Sequence, residues 1–421
     1  MYFFIYKIII FCLIPFALAK LAYRALIKPV HLQYLNERFA LYPKKLSSVW
    51  KSRQTVWFHC VSVGETKAIV NLIEILLKQH PSTYFLISHM TLTGRNTELL
   101  NNPRIHRTYL PYDTGGASKR FLSFYQPRVG VIVETELWFN LIDQCKLNNV
   151  PLHLINARLS KKSLNKYLPF KVFINSKLLQ LDSIYVRSEE DLSNFSKLTK
   201  ASIKLMGNIK FDTSPPKGTL KKINQLKKQL KISSHFVLVA GSTRDGEEKI
   251  LLDLVKKINY KELILVIVPR HPERFGEVEK IFQSQSLKIV KKSDLGGVKK
   301  TPQYVLGDTM GELYELYGLA TLAVIGGSIL DYGGQNPIEA MSSNVQTAVG
   351  PSIYNFKDMV NTAEKNNAIF RFRNIAELEG IIKNLIDDAQ VNQRVLKNAQ
   401  NYIKDSSGGT DKVVQLINQY L

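Results

Sequence analysis

Cysteine is scarce in this 421-residue chain. Cys12, Cys60 and Cys145 are far apart, odd in number and without metal-ligand spacing, so neither a disulfide framework nor a zinc site is implied, which fits a reducing compartment. Acid is in short supply as well, 35 Asp plus Glu against 57 Lys plus Arg, for a net charge of +22. Such a surface favours anionic partners: nucleic acid, acidic lipid or a phosphorylated substrate. Neither a GxxxxGK[ST] loop nor a strand-linked GxGxxG occurs, which counts against a P-loop or ordinary dinucleotide enzyme. No DxD pair stands at a strand end, in agreement with chemistry that needs no metal; no metal and no cofactor are expected. Low-complexity tracts are missing too. The remainder is ordinary for a globular protein, and the length exceeds what one core usually supports, so two domains of about 150 to 200 residues are expected.

The one long apolar run opens the chain. "MYFFIYKIIIFCLIPFALAK" carries only Lys7 before Lys20, and about 20 apolar residues are needed to span a bilayer. Ala17-Leu18-Ala19 imitates a signal-peptidase site. Basic residues follow the run, however: Lys20, Arg24, Lys28, Arg38, Lys44, Lys45, Lys51 and Arg53, opposed only by Glu37. Positive-inside bias therefore predicts an uncleaved single-pass anchor over residues 1–28 with the body in the cytoplasm. The juxtamembrane charge would bind anionic lipid headgroups, and nucleic acid is not expected as a partner.

Beyond the anchor, short β-rich runs alternate with helical patterns. The first half offers strands at Val56 to Val63, Thr83 to Ser88, Arg107 to Leu110, Val129 to Val133, Leu152 to Ile155, Ser183 to Val186 and Ile203 to Met206. "FDTSPPKG" breaks the pattern, giving a first domain over 29–212, a linker over 213–218 and a second domain over 219–421. The second half repeats the order with "HFVLVAGS", "LILVIVPR", "LKIV", "QYVLGD", "TLAVIGGS", "VQTAVG" and "AIFRF". This predicts an α/β protein of two Rossmann-like domains facing a central cleft. "LKKINQLKKQLK" sets Leu220, Ile223, Leu226 and Leu230 on one core-facing helical stripe. The final "GGTDKVVQLINQYL" has the spacing of a terminal helix that packs back onto the first domain.

Chemistry gathers at the strand ends. In "HCVSVGETKA" Glu65 stands where a strand gives way to a helix, either as a complement to the helix dipole, worth roughly 0.3–1 kcal/mol, or as a functional acid. "VIVETELWFN" adds Glu134 and Glu136 at the same sheet edge, and neighbouring carboxylates raise one another's pKa, which suits proton abstraction. "SHMTLTGRNT" and "LINARLSKKS" supply Thr93, Gly94, Arg95, Asn156, Arg158, Lys161 and Lys162. In the second half, "AGSTRDGEE" places Ser242 before a helix. "IGGSILDYGGQNPIEAM" brings Gly326, Gly327 and Ser328, then Asn336 and Glu339 on one helical face where they suit ribose hydroxyls or a base edge. Backbone N–H groups after Gly327 are expected to gather on an anion. "VPRHPERF" adds Arg270, His271 and Arg274; an arginine there suits a phosphate oxygen or pairs with a neighbouring glutamate.

Taken in order, "HCVSVGETKA", "TLTGRNT", "ETELWFN", "NARLSKKS", "GNIKFD", "AGSTRDGEE", "VPRHPERF", "GDTMGELYELY" and "GGQNPIEA" resemble the successive motifs of the lipopolysaccharide Kdo (3-deoxy-D-manno-octulosonic acid) transferase family, from about Trp57 to Pro351. The resemblance implies a GT-B glycosyltransferase anchored at the cytoplasmic face of the inner membrane, moving Kdo from CMP-Kdo onto a tetraacylated lipid A precursor with inversion. It puts Glu65 in the place of the catalytic base and Glu134 or Glu136 in that of a second essential carboxylate. It gives CMP to Arg270, His271, Ser242, Gly326, Gly327, Ser328, Asn336 and Glu339. The lysine-rich first half, with Thr93, Gly94, Arg95, Asn156, Arg158, Lys161 and Lys162, should take the anionic lipid acceptor. A GT-B enzyme using a UDP-sugar on a membrane lipid is the alternative. The chain departs from the family pattern at Phe139 (usually Pro), Gln335 (usually His) and Cys60 (usually Ala).

Overall fold

The computed structural model of the protein describes residues 2–43, 50, 53–98, 100–213, 215–216 and 218–421. Lys44, Lys45 and Lys51 of the basic run and two positions of the expected linker lie outside the described residues. Packing divides the chain into two units, Met1–Asp212 with Ser406–Leu421, and Thr213–Asp405.

The first unit is built on seven parallel strands: β1 Thr55–His59, β2 Tyr84–His89, β3 Ile105–Tyr109, β4 Val129–Val133, β5 Leu152–Ala157, β6 Ser183–Val186 and β7 Ile203–Leu205. Their order is β3-β2-β1-β4-β5-β6-β7. Strand order therefore reverses between β1 and β4, the switch point at which open parallel sheets bind ligands beyond their carboxyl ends. β1 and β4 are buried along their whole length, which is why both read as continuous apolar runs. Alternate residues serve opposite faces: Trp57 joins Phe121, Tyr125 and Phe195 on one, and Val56 and Phe58 join Leu72, Phe85 and Ile417 on the other. Each such side chain contributes roughly 1.5–3 kcal/mol through burial. Gly130 in β4 makes room for the Trp57 ring, since a Cβ there would fall 2.6 Å from Trp57 Cε3.

β1 is shorter than the sequence pattern predicts. It stops at His59 because Ser62 takes the cap of a helix over Val63–Ala68, and a second helix, Val70–Gln79, follows at once. At the other end of the chain, the helix Gly409–Asn418 belongs to this first unit. Asp212 fastens it by accepting the N–H groups of Gly408 (2.6 Å) and Thr410 (2.5 Å), and Tyr420 meets His153 Nε2 at 2.9 Å.

The second unit repeats the architecture with β8 Phe236–Thr243, β9 Leu263–Pro269, β10 Val290–Lys291, β11 Tyr304–Leu306, β12 Leu322–Ile325, β13 Gln346–Val349 and β14 Phe370–Arg371, ordered β10-β11-β9-β8-β12-β13-β14 and all parallel. Its switch point lies between β8 and β12. On the lysine-rich helix Thr219–Gln229, Leu226 is buried and Ile223 packs on the core, but Leu220 is exposed. The stripe predicted there is thus one turn shorter.

The N-terminal helix spans Tyr2–Ile27 with a mean hydropathy of 2.2 over its most apolar 18-residue window. Its length and composition are compatible with a membrane anchor.

Candidate active site

The three acids singled out in the first half come to the switch point, Glu65 after β1 and Glu134 and Glu136 after β4. Glu65 is the third residue of its helix and closes a capping box: its carboxylate accepts the Ser62 N–H at 3.2 Å and the Ser62 hydroxyl at 3.3 Å. Its local role is thus a capping box, more specific than a complement to the helix dipole. Burial nonetheless raises its pKa, and the charge of Glu134 raises it further.

The strand-to-helix turn after β4 is made by Glu134 itself, at φ 64°. Its N–H continues the ladder to the Ile155 carbonyl (2.9 Å), while its own carbonyl accepts the Glu136 N–H at 3.1 Å. A left-handed glutamate is a conformation that surrounding structure must hold, and such strain gathers at functional sites. Lys210 holds the side chain, with Nζ 2.7 Å from Glu134 Oε1. Glu136 carries the largest shift of the three, pushed up to about 7 by burial and then by the charges of Glu65 and Glu134. One carboxylate is thus tied to a cation and two are left to share the site, one of them changing protonation near neutrality. Cys60 is buried, and burial and then the charges of Glu65 and Glu134 push its thiol pKa up.

Of the basic and polar residues expected around the acceptor, Lys161, Lys162 and Arg158 are exposed, the two lysines on the first turn of a helix capped by Ser160. Thr93 is exposed on the short turn Leu92–Arg95, which Thr91 caps through the Gly94 N–H. Two others are built into the fold instead. Arg95 is clamped by Glu37, Nε to Oε2 at 3.0 Å and Nη2 to Oε1 at 2.9 Å, and lies over the Tyr34 ring. Asn156 is fully buried, accepting the Ile209 N–H.

In the second unit the glycine-rich loop after β12 differs from the expectation. The N–H groups of Gly327, Ile329 and Leu330 do not gather on open space but donate to the buried carboxylate of Glu247, at 2.7, 2.9 and 3.3 Å. The Arg244 N–H joins them at 2.9 Å. Gly326 is pressed on Ser242, where a Cβ would fall 2.3 Å from its carbonyl oxygen. Gly326, Gly327 and Ser328 are all buried, and Ser328 Oγ accepts the Gly350 N–H. At Gly326 the close approach is thus made by the protein's own backbone. Glu247 was legible only as an acid in a helix's first turn.

The strand ends of this unit present Arg270, exposed after β9, and half-buried Ser242 in β8 (φ 59°), while half-buried Asn336 and Glu339 follow the loop. His271 Nε2 accepts from Arg244 Nη1 at 2.8 Å. The two arginines of "VPRHPERF" part company. Arg274 binds both oxygens of buried Glu248, Nη1 to Oε1 and Nη2 to Oε2, and also reaches Asp245, which fulfils for that residue the alternative of a glutamate pair.

The geometry can be set beside known proteins. Residues 33–213 match the family model described as 3-deoxy-D-manno-octulosonic-acid transferase (kdotransferase). The 3-deoxy-D-manno-octulosonic acid transferase of Haemophilus influenzae is 28% identical over 97% of this chain and 96% of its own length. A solved C-terminal CMP-Kdo binding domain of WaaA from Acinetobacter baumannii is 31% identical, covering 44% of this chain and 98% of that domain at a TM-score of 0.42. The UDP-GlcNAc 2-epimerase of Neisseria meningitidis, solved with UDP-GlcNAc, is 14% identical and shares the twin Rossmann-like fold, with a TM-score of 0.56 over 87% of this chain and all of that one. Motifs, fold and relatives aligned along nearly the whole length agree: the chain belongs to the Kdo transferase family, glycosyltransferases of GT-B type that act in lipopolysaccharide biosynthesis.

Proposed function

We propose that the protein transfers Kdo from CMP-Kdo to a tetraacylated lipid A precursor, with inversion at the anomeric carbon and Glu65 as general base, at the cytoplasmic face of the inner membrane. The observation that carries this reading is the group of Glu65, Glu134 and Glu136 at the β1/β4 switch point, with the carboxyls of Glu65 and Glu136 held above the ordinary range. Glu65 takes the proton of an acceptor hydroxyl as its oxygen bonds to the anomeric carbon. The bond from that carbon to the CMP phosphate breaks on the opposite face, and CMP leaves with the electron pair as a phosphate monoester. Glu136, rather than the lysine-bound Glu134, is the second carboxylate that faces the reacting groups.

The second unit takes the nucleotide. Arg270 neutralises the charge that grows on the phosphate, Asn336 and Glu339 hold ribose hydroxyls, and Ser242 and His271 complete the site. Gly326, Gly327 and Ser328 shape it from beneath. On the first unit, Thr93, Arg158, Lys161 and Lys162 meet the phosphates of the acceptor.

The test is mass spectrometry of a tetraacylated lipid A precursor incubated with freshly generated CMP-Kdo and either wild type or Glu65→Gln. Glutamine can still close the capping box, so the variant should keep its unfolding midpoint while stepwise gains of Kdo mass fall by a factor on the order of 10² to 10⁴. Transfer at the wild-type rate by Glu65→Gln would remove Glu65 from the chemistry.

A further inference from the structure

The proposed donor carries two anions on one carbon. A 3-deoxy-octulosonic acid has its carboxylate on the anomeric carbon, so in the CMP-linked sugar that carbon bears the carboxylate as well as the phosphate oxygen. The strand ends of the second unit hold two arginines to match. Arg244 directly follows β8 and Arg270 directly follows β9. Thr243 and Pro269, the residues before them, are register partners, and the Arg270 N–H donates to the Thr243 carbonyl at 3.0 Å. The two arginines therefore stand side by side, at the ends of strands about 4.8 Å apart.

The arginines of this edge differ in what surrounds them. Arg274 is taken by Glu248, Asp245 and Glu277. Among the described residues neither Arg244 nor Arg270 meets a carboxylate. Arg244 is held all the same. Its N–H donates to Glu247 at 2.9 Å, its guanidinium lies 4.9 Å from the centre of the Tyr332 ring, and Nη1 donates to His271 Nε2 at 2.8 Å. Tyr332 is tied in turn by its hydroxyl to the Asp245 carbonyl at 3.3 Å. An imidazole that accepts a hydrogen bond is neutral, so His271 orients the guanidinium without cancelling its charge. Nε and Nη2 make no hydrogen bond among the described residues. The stem lies against Gly327, where a Cβ would fall 3.5 Å from Arg244 Cγ, 3.5 Å from Tyr332 Cβ and 3.2 Å from Gln335 Nε2. Arg244, Tyr332 and Gln335, all half-buried, thus converge on one glycine. A guanidinium oriented beforehand, with its charge uncompensated and one edge unused, suits a planar carboxylate.

We propose that Arg244 selects for the acid function of the transferred sugar: its guanidinium binds the carboxylate on the anomeric carbon, while Arg270 takes the phosphate on the same carbon. This assignment rests on CMP-Kdo being the donor. His271 then serves as a positioning residue that acts through Arg244. Gln335, one of the departures from the family pattern, lines the same subsite. Each anion of the donor meets its own cation, so neither is desolvated unpaired. An aldose donor has hydrogen where Kdo has the carboxylate, and leaves Arg244 with no partner, a penalty added to the missing contact.

The test uses the full chain with CMP, CMP-Kdo and a CMP-Kdo analogue whose carboxylate is replaced by a carboxamide. Calorimetric titration reads CMP affinity, and transfer to the lipid A precursor reads kcat/KM for each donor. Wild type should prefer the carboxylate donor about 10- to 100-fold. Arg244→Ala should lose that preference while its CMP affinity holds, and Arg270→Ala should do the converse. Arg244→Lys, which keeps the charge but not the fork, should fall between wild type and Arg244→Ala; it decides by the same ratio if Arg244→Ala lowers the unfolding midpoint. A preference that survives both substitutions of Arg244, or a CMP affinity that falls with them, would overturn the assignment. Wild type that binds CMP yet transfers from neither donor would refute the proposed function, and the role of Arg244 would fall with it.

Discussion

Lys210 Nζ lies 2.7 Å from Glu134 Oε1 at the edge of a site where two other carboxylates have raised pKa values. The pair divides the labour among three acids, since a glutamate neutralised by a lysine presses less strongly on its neighbours.

Removing that lysine therefore has a directional effect on pH dependence. In Lys210→Met the Glu134 charge is uncompensated and disfavours ionisation of Glu65. The acid limb of kcat/KM is expected to move to higher pH. A pH–rate profile checks this, and a uniform loss of rate with an unmoved limb would reduce Lys210 to a structural tie.

Glu136 makes the fold itself sensitive to pH. Its folded pKa of about 7 stands above the ordinary glutamate value, so between about pH 4.5 and 7 the folded state binds more protons than the unfolded one. Stability from this group falls as pH rises through that window and is level above it. Glu136→Gln, which does not titrate, should be no more stable than wild type at pH 4 and measurably more stable at pH 8. Thermal unfolding at the two values decides it, and a difference that does not grow with pH would remove Glu136 as the cause.

Arg270 and Arg274 sit four residues apart and should fail differently. Arg270→Ala leaves an exposed strand end, so the unfolding midpoint should hold while CMP affinity drops about tenfold. Arg274→Ala strands a Glu248 side chain that has no exposure, at a cost of about 3 kcal/mol. Calorimetric CMP titration beside thermal unfolding separates the two. Loss of stability in Arg270→Ala with intact CMP binding would reverse the assignment.

Glu247→Gln should also destabilise the second unit, by about 2–4 kcal/mol, because a single amide oxygen replaces a carboxylate that serves four backbone N–H groups. Urea titration reads it. If the variant kept its stability and bound CMP more tightly, the loop amides would be ligands of phosphate after all.

The strands were legible because β-branched runs buried on both faces need no long-range information, and β4 and β6 match their predicted bounds. So were the three acids, each at the end of such a run. What stayed hidden depends on partners remote in sequence. Nothing near Arg95 announces Glu37, 58 positions away, and nothing near Gly327 announces Glu247, 80 positions away. A glycine cluster reads the same whether a ligand or the protein's own backbone makes the close approach. The end of β1 was misplaced for a local reason: "CVSV" is apolar enough to extend a strand, but Ser62 and Glu65 together stabilise a helix start.

The return of Ser406–Leu421 to the first unit bears on how the protein is made. Val413, Leu416 and Ile417 complete one face of the first sheet, yet the ribosome must first add everything from Thr213 to Asp405, a delay of about 10–40 s at bacterial or slower elongation rates. During that interval the nascent first unit holds an uncovered apolar face, while the second unit, continuous in sequence, is free to fold as it emerges. Loss of the residues from Ser406 onward would thus spare the second unit and cripple the unit that was synthesised first.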